Sequence, residues 1–101
     1  MGRDKPAPQG EPGPLRIVES ARFGKELERQ RKRGKDLAKL RVVIEASVAR
    51  RPLDARYRDH ALVGDWAGYR DCHIEPDWLL IYKIIGDELR LARTGTHTDL
   101  F

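Results

Sequence analysis

Three histidines, His60, His73 and His97, fall in the second half of the chain, interleaved with Asp77, Trp78, Arg93 and Phe101. The rest of the chain is poor in reactive groups. An imidazole titrates at about 6.5 when unperturbed, so it can take and return a proton near neutrality, and a guanidinium is the preferred partner of a phosphate. Proton-transfer groups beside a phosphate-holding cation are the ingredients of phosphodiester cleavage. Three histidines and an aspartate also match a zinc site in composition. Their spacing lacks a local ligand pair such as H-x-x-x-H, and no metal or cofactor is expected.

The elements that must position these groups can be read from periodicity. Leu15 to Glu19 alternates and reads as a first strand, and Ser20 offers an N-cap to the helix that follows. In that helix Phe23 and Leu27 share one face, while Lys25, Arg29, Arg31, Lys32 and Arg33 occupy the others, and Gly34 ends it. Leu37, Leu40, Ile44 and Val48 form the buried stripe of a second helix over 36–50, closed by Pro52. Residues 52–66 show no period and read as a loop, with room for a short helical turn, that carries His60. Strands follow over 69–74, 78–85 and 88–94, joined by a tight turn at Glu75-Pro76-Asp77 and a two-residue hairpin at Gly86-Asp87. Residues 95–101 form a tail. The fold predicted is α+β, in the order β-α-α-β-β-β, an antiparallel sheet with two helices packed on one side.

Alternation along the strands then aims the side chains. Leu89, Leu91 and Arg93 are expected on one face of the last strand, and Tyr69, Asp71 and His73 on one face of the strand over 69–74. The turn at Pro76 brings Asp77 close to His73, so the hairpins are expected to gather His73, Asp77, Arg93 and His97 into one cleft. Each residue also has a plainer reading. His60 fits an ordinary surface histidine, Trp78 fits core, and Arg93 fits a salt bridge to Asp77 or Asp71.

With 101 residues and 11.6 kDa the chain is sized for one domain, and its pI near 9.5 favours a polyanionic partner. The basicity is uneven: twelve Lys or Arg stand against five Asp or Glu over 15–52, but six against nine over 53–101. Positive charge therefore gathers in the half without the histidines. The single cysteine, Cys72, has no intrachain partner, which suits a reducing compartment. No apolar run is long enough to span a membrane, no secretory signal is visible, and a cytoplasmic location is expected. Residues 1–14, rich in Pro and Gly, are expected to be a flexible extension, leaving 15–101 as the folded domain.

The clauses DHAL, GYRDCHIEPDW, LLIYK and RTGTHTDLF, in that order between Asp59 and Phe101, closely resemble the C-terminal half of YafQ-type toxins of the RelE/ParE superfamily. The first half matches more loosely. The resemblance implies an active site made of His60, His73, Asp77, Trp78, Arg93, His97 and Phe101. It also implies metal-free cleavage of mRNA in the ribosomal A site, by attack of a ribose 2′-OH that leaves a 2′,3′-cyclic phosphate and a 5′-OH. On that reading His97 and His73 move protons, and His60 is an alternate base or phosphate ligand. Arg93 holds the scissile phosphate, Asp77 orients a histidine or the 2′-OH, and Trp78 and Phe101 stack on bases. A DinJ-like antitoxin would be the neutralising partner. The charge distribution adds that Arg29, Arg31, Lys32 and Arg33 dock on ribosomal RNA of the 70S particle. The alternatives are a ParE-like toxin that poisons DNA gyrase without cutting RNA, and an inactive antitoxin-binding decoy. The four acid-base groups argue against both.

Overall fold

The computed structural model describes residues 13–101; the extension expected over 1–14 lies, up to residue 12, outside the described residues. The chain runs β1 (Arg16–Glu19), α1 (Ala21–Lys32), α2 (Leu37–Val48), β2 (His60–Ala61), β3 (Arg70–Glu75), β4 (Trp78–Ile85), β5 (Glu88–Gly95) and α3 (His97–Leu100). Short 3-10 turns at Ala55–Tyr57 and Gly64–Trp66 flank β2. The five strands form one sheet in the order β1-β5-β4-β3-β2. Strands β2 to β5 pair antiparallel, and β1 joins the far edge parallel to β5.

Both long helices start where the sequence says. The Ser20 hydroxyl accepts from the Phe23 N–H, and the Asp36 carboxylate accepts from Ala38 N–H. Gly34 takes a positive φ of 85° just past α1, the left-handed position that favours glycine. Helix α2 ends earlier than the expected stop at Pro52, because Arg50 turns left-handed with φ 59°. Phe23, Leu40 and Val43 then pack on Cys72, Trp78, Leu80, Tyr82, Leu89 and Leu91, the helix-facing side of the sheet. Leu37, Ile44 and Val48 from the expected stripe line the rim of that core, and Val43 is its most buried α2 member.

Three expectations change. The stretch 52–66 is not only loop: His60 lies in β2, which pairs His60 with Asp71 and Ala61 with Arg70. Two residues give no readable alternation, so only the pairing partner reveals such a strand. The expected tail is α3, begun by a capping box in which Thr96 Oγ1 accepts from Asp99 N–H and the Asp99 carboxylate accepts from Thr96 N–H. Finally, Leu91 and Arg93 do not share a face. Tyr82 pairs with Leu91 but its neighbour Ile81 pairs with Arg93, so Ala92 is an extra residue that resets the alternation.

That bulge matters for placement. Leu79 and Ile81 point to the side of the sheet away from α1 and α2, where they pack with Leu100 of α3, Ala92, Leu62, Trp66 and Tyr69. Residues in register across strands share a face. Consequently His60, Asp71, Ile81 and Arg93 form one rung across β2, β3, β4 and β5, and His73, Leu79 and Gly95 form the next.

Candidate active site

The rungs bring the three histidines together. The His60 and His73 rings are 6.3 Å apart between centroids, and those of His73 and His97 5.6 Å, so the imidazoles lie in a row with His73 in the middle. His73 is carried by β3, His60 by β2, and His97 by the first turn of α3. Of the expected gathering of His73, Asp77, Arg93 and His97, the two histidines and Asp77 lie together, His60 joins them, and Arg93 is turned to Glu26 of α1.

A carboxylate stands behind each half of the row. Asp77, in the β3–β4 turn, accepts from the His97 backbone N–H at 2.9 Å and lies 2.6 Å from its Nδ1 through the same oxygen. These two bonds, the backbone one foremost, hold the Asp77 carboxyl below the usual carboxylate range. They also fix the ring so that Nε2 is left for a substrate. Asp71 is buried between the other two histidines, its oxygens 4.0 Å from His60 Nε2 and 3.8 Å from His73 Nδ1. Asp71 Oδ1 and His73 Nδ1 have no hydrogen-bond partner among the described residues. Burial pushes the His73 imidazole below its ordinary value and outweighs the opposing pull of Asp71, which favours the neutral ring. His60 is positioned locally: its Nδ1 lies 2.8 Å from the Arg58 carbonyl, and Arg58 sits in the left-handed region with φ 50°. The preceding Asp59 is clamped by Arg70 and by the Tyr82 hydroxyl.

The α3 turn that carries His97 is pinned from several sides. Arg33, the C-cap residue of α1, makes a two-pronged contact with Asp99, at 2.6 and 3.1 Å, and holds that carboxyl far below its ordinary value. Arg29 stands 3.9 Å from the same carboxylate. Gly95 is needed for this approach, since a Cβ there would fall 2.8 Å from Asp99 Oδ2 and 2.9 Å from its Cβ. Two of the four cations expected to dock on ribosomal RNA thus hold the turn that carries His97. Arg31 pairs with Glu28 on its own helix, and Lys32 is exposed.

Two expected site residues are placed differently. Trp78, expected to stack on a base, is completely buried among the helix-facing side chains, and its Nε1–H donates to Thr94 Oγ1 at 2.9 Å. It starts a strand whose first side chain points into the core, the plainer of its two readings. Arg93 is not salt-bridged to Asp77 or Asp71. Its Nε and Nη2 donate to Glu26 of α1, and both side chains are at least nine-tenths buried. Glu26 reaches it because β1 covers β5 only as far as Leu91. Beyond that the edge of β5 is closed by α1, with Ser20 Oγ donating to Ala92 O and Glu26 accepting from Thr94 N–H. Phe101 is exposed.

Sequence reasoning gave no role to Glu26 or Asp59. The signal for Glu26 is an acid three positions after Phe23 on the apolar face of a basic helix. Cys72 is buried, and burial pushes its thiol far above the ordinary value, which removes it as a nucleophile. Among the described residues no helix is long and apolar enough to cross a membrane.

Comparison with known proteins places this geometry among toxins. Residues 15–101 match the family described as bacterial toxin of type II toxin-antitoxin system, YafQ. The mRNA interferase toxin YafQ of Escherichia coli K12 is 47% identical over 86 residues, covering 84% of this chain and 94% of that protein. The crystal structure of the E. coli DinJ–YafQ complex superposes with a TM-score of 0.81 at 45% identity, covering 86% of this chain and 98% of the matched one. A metal-bound toxin from Helicobacter pylori does so with a TM-score of 0.81 at 39% identity, covering 86% and 99%.

Proposed function

Because the chain belongs to the YafQ toxins of bacterial type II toxin-antitoxin systems, we propose that it is a ribosome-dependent mRNA interferase that cuts the message in the A site by attack of a ribose 2′-OH on the adjoining phosphate. The observation that carries the chemistry is the row His60–His73–His97, with ring spacings of 6.3 and 5.6 Å and a carboxylate behind each half. The reaction needs a base at the 2′-oxygen and an acid at the departing 5′-oxygen on opposite sides of one phosphorus, which adjacent imidazoles can supply. His73, whose neutral form is favoured by burial, is the base. His97, oriented by Asp77, is the acid that protonates the 5′-oxygen. His60 binds the phosphate or relays the proton from His73. Products are a 2′,3′-cyclic phosphate and a 5′-OH. Arg93 stabilises the phosphorane charge: Glu26 fixes the guanidinium through Nε and Nη2, leaving Nη1 outside that fork. Phe101 stacks on a base at the cut.

The partners follow from the same premise. The E. coli relative is found in complex with DinJ, and a DinJ-like antitoxin is the partner proposed for this chain in the cytoplasm. Arg29, Arg31, Lys32 and Arg33 still present a basic surface to ribosomal RNA. Arg31 and Lys32 test it cleanly, since they do not hold α3. No metal enters the proposed steps. A related toxin is described as metal-bound, so cleavage is to be run with and without EDTA; loss in EDTA with recovery on adding zinc or copper refutes this part.

The deciding experiment is primer extension on mRNA incubated with the protein, with and without 70S ribosomes, with His97→Ala in parallel. Cuts that require ribosomes and disappear in the variant are expected. A protein that leaves mRNA whole but blocks gyrase supercoiling would belong to the ParE-like reading instead.

A further inference from the structure

The burial of Trp78 leaves the message one stacking partner short, and a groove beside His73 offers a replacement. Strand β2 pairs only with Asp71 and Arg70, so β3 from Cys72 onward has no strand neighbour on that side among the described residues. Along this free edge, between α2 and the 3-10 turn Ala55–Tyr57, runs a groove of about 510 Å³. His73 lines it, so it adjoins the histidine row at the β3 edge. Its walls carry Lys39, Arg56 and Arg58, with Val42 and Tyr57 among its apolar surface. The one acid there, Glu75, is already held by Lys35 and Lys39. Arg56 and Arg58 have no carboxylate partner among the described residues, whereas most of the described arginines are paired. Arg56 lies over the Tyr57 ring, 4.9 Å from its centroid, and donates to its hydroxyl at 3.1 Å.

We propose that this groove is a substrate subsite that holds the nucleotide next to the cleaved bond, with Arg56 and Arg58 on its phosphates and the Arg56–Tyr57 pair as the surface on which its base stacks. An RNA strand threaded past three imidazoles must continue on either side of the cut. On this side the groove that His73 lines carries two arginines without a carboxylate partner among the described residues and an aromatic ring, the combination that holds single strands without reading sequence. The inference rests on the toxin reading, since it names the substrate of that same site. An extended antitoxin segment adding to the free edge of β3 is the competing occupant.

The test is site-directed crosslinking on the ribosome. Val42, at the exposed rim, is changed to Cys and labelled with a benzophenone; Cys72 is fully buried and stays unlabelled. The background carries His97→Ala so that the message remains whole. On 70S particles programmed with labelled mRNA, the expected crosslink falls on the message within about two nucleotides of the site that the wild type cuts. Adding Arg56→Gln and Arg58→Gln together lowers its yield several-fold, Arg56→Lys restores it, and the salt dependence of binding falls by about 0.7 in log-log slope per cation removed. Wild-type cleavage with crosslinks only to ribosomal RNA, or with crosslinks only to added antitoxin, overturns the subsite and leaves the nuclease standing. Absence of both cleavage and message crosslinks overturns the two together.

Discussion

Removal of Glu26 tests how the site arginine is held. Its carboxylate accepts from Arg93 Nε and Nη2 and from the Thr94 N–H, with side-chain exposures of 8% for Glu26 and 9% for Arg93. Glu26→Ala leaves a guanidinium buried without its counter-charge, a loss of about 3–5 kcal/mol. It also orphans a strand-edge N–H, a further cost of about 1–3 kcal/mol that overlaps the first. Taking about 4 kcal/mol for the sum, the variant forfeits a large part of the about 5–15 kcal/mol that stabilises a domain. With a urea slope of about 1–2 kcal/mol per molar, its midpoint falls by about 2–4 M. Glu26→Gln keeps an acceptor for Thr94 but not the charge, and falls in between. The double variant Glu26→Met/Arg93→Met removes both charges and is expected to be more stable than Glu26→Ala, because an apolar pair needs no desolvation. Equilibrium urea unfolding followed by tryptophan fluorescence reads all three. A Glu26→Ala midpoint shift worth less than about 1 kcal/mol would mean that water reaches Arg93, and the argument that Glu26 fixes it would fail. In the cleavage assay Glu26→Gln should lower the rate while the protein stays folded, since the guanidinium is no longer oriented.

Three further outcomes follow from the site. In an NMR titration the His73 ring is expected to have its midpoint below the unperturbed value of about 6.5, because burial opposes its charge. The linked stability is full above about 6.5 and is lost as pH falls from there to the folded midpoint, since the unfolded chain binds the proton first; a midpoint at or above 6.5 contradicts this. Gly95→Ala should push Asp99 away, loosen α3 and cut the cleavage rate at least 10-fold while the helix-facing core stays native by circular dichroism, whereas unchanged activity would show that α3 tolerates the shift. Thr96→Ala removes the cap of the same turn at a cost of about 1 kcal/mol, seen as a lowered melting temperature, with a fall in cleavage that Thr96→Ser should repair.

The sequence by itself determined most of the frame. Ser20 and Gly34 mark the ends of α1, Asp36 is the N-cap of α2, and Gly86-Asp87 closes a hairpin; each works through its own backbone neighbours, so local chemistry suffices. The apolar run from Trp78 to Ile85 announces a central strand for the same reason. The motifs that resemble YafQ toxins named the three histidines and Asp77, and the row they form is in the structure. Only tertiary structure decided what each side chain faces. The two residues of β2 carry no period, and their strand exists because β3 pairs with it. The extra residue at Ala92 reverses the face of Arg93, and nothing in the order Leu-Ala-Arg signals a bulge. Glu26 meets Arg93, and Arg33 meets Asp99, across separations in sequence of 67 and 66 residues, contacts that no local pattern encodes. Trp78 illustrates the division best: its motif marks it for the site, while its place on the inward face of β4 puts the ring into the core. Periodicity is a property of neighbours in the chain, but a site is made by neighbours in space, and those are set by strand register and by which edges helices cover.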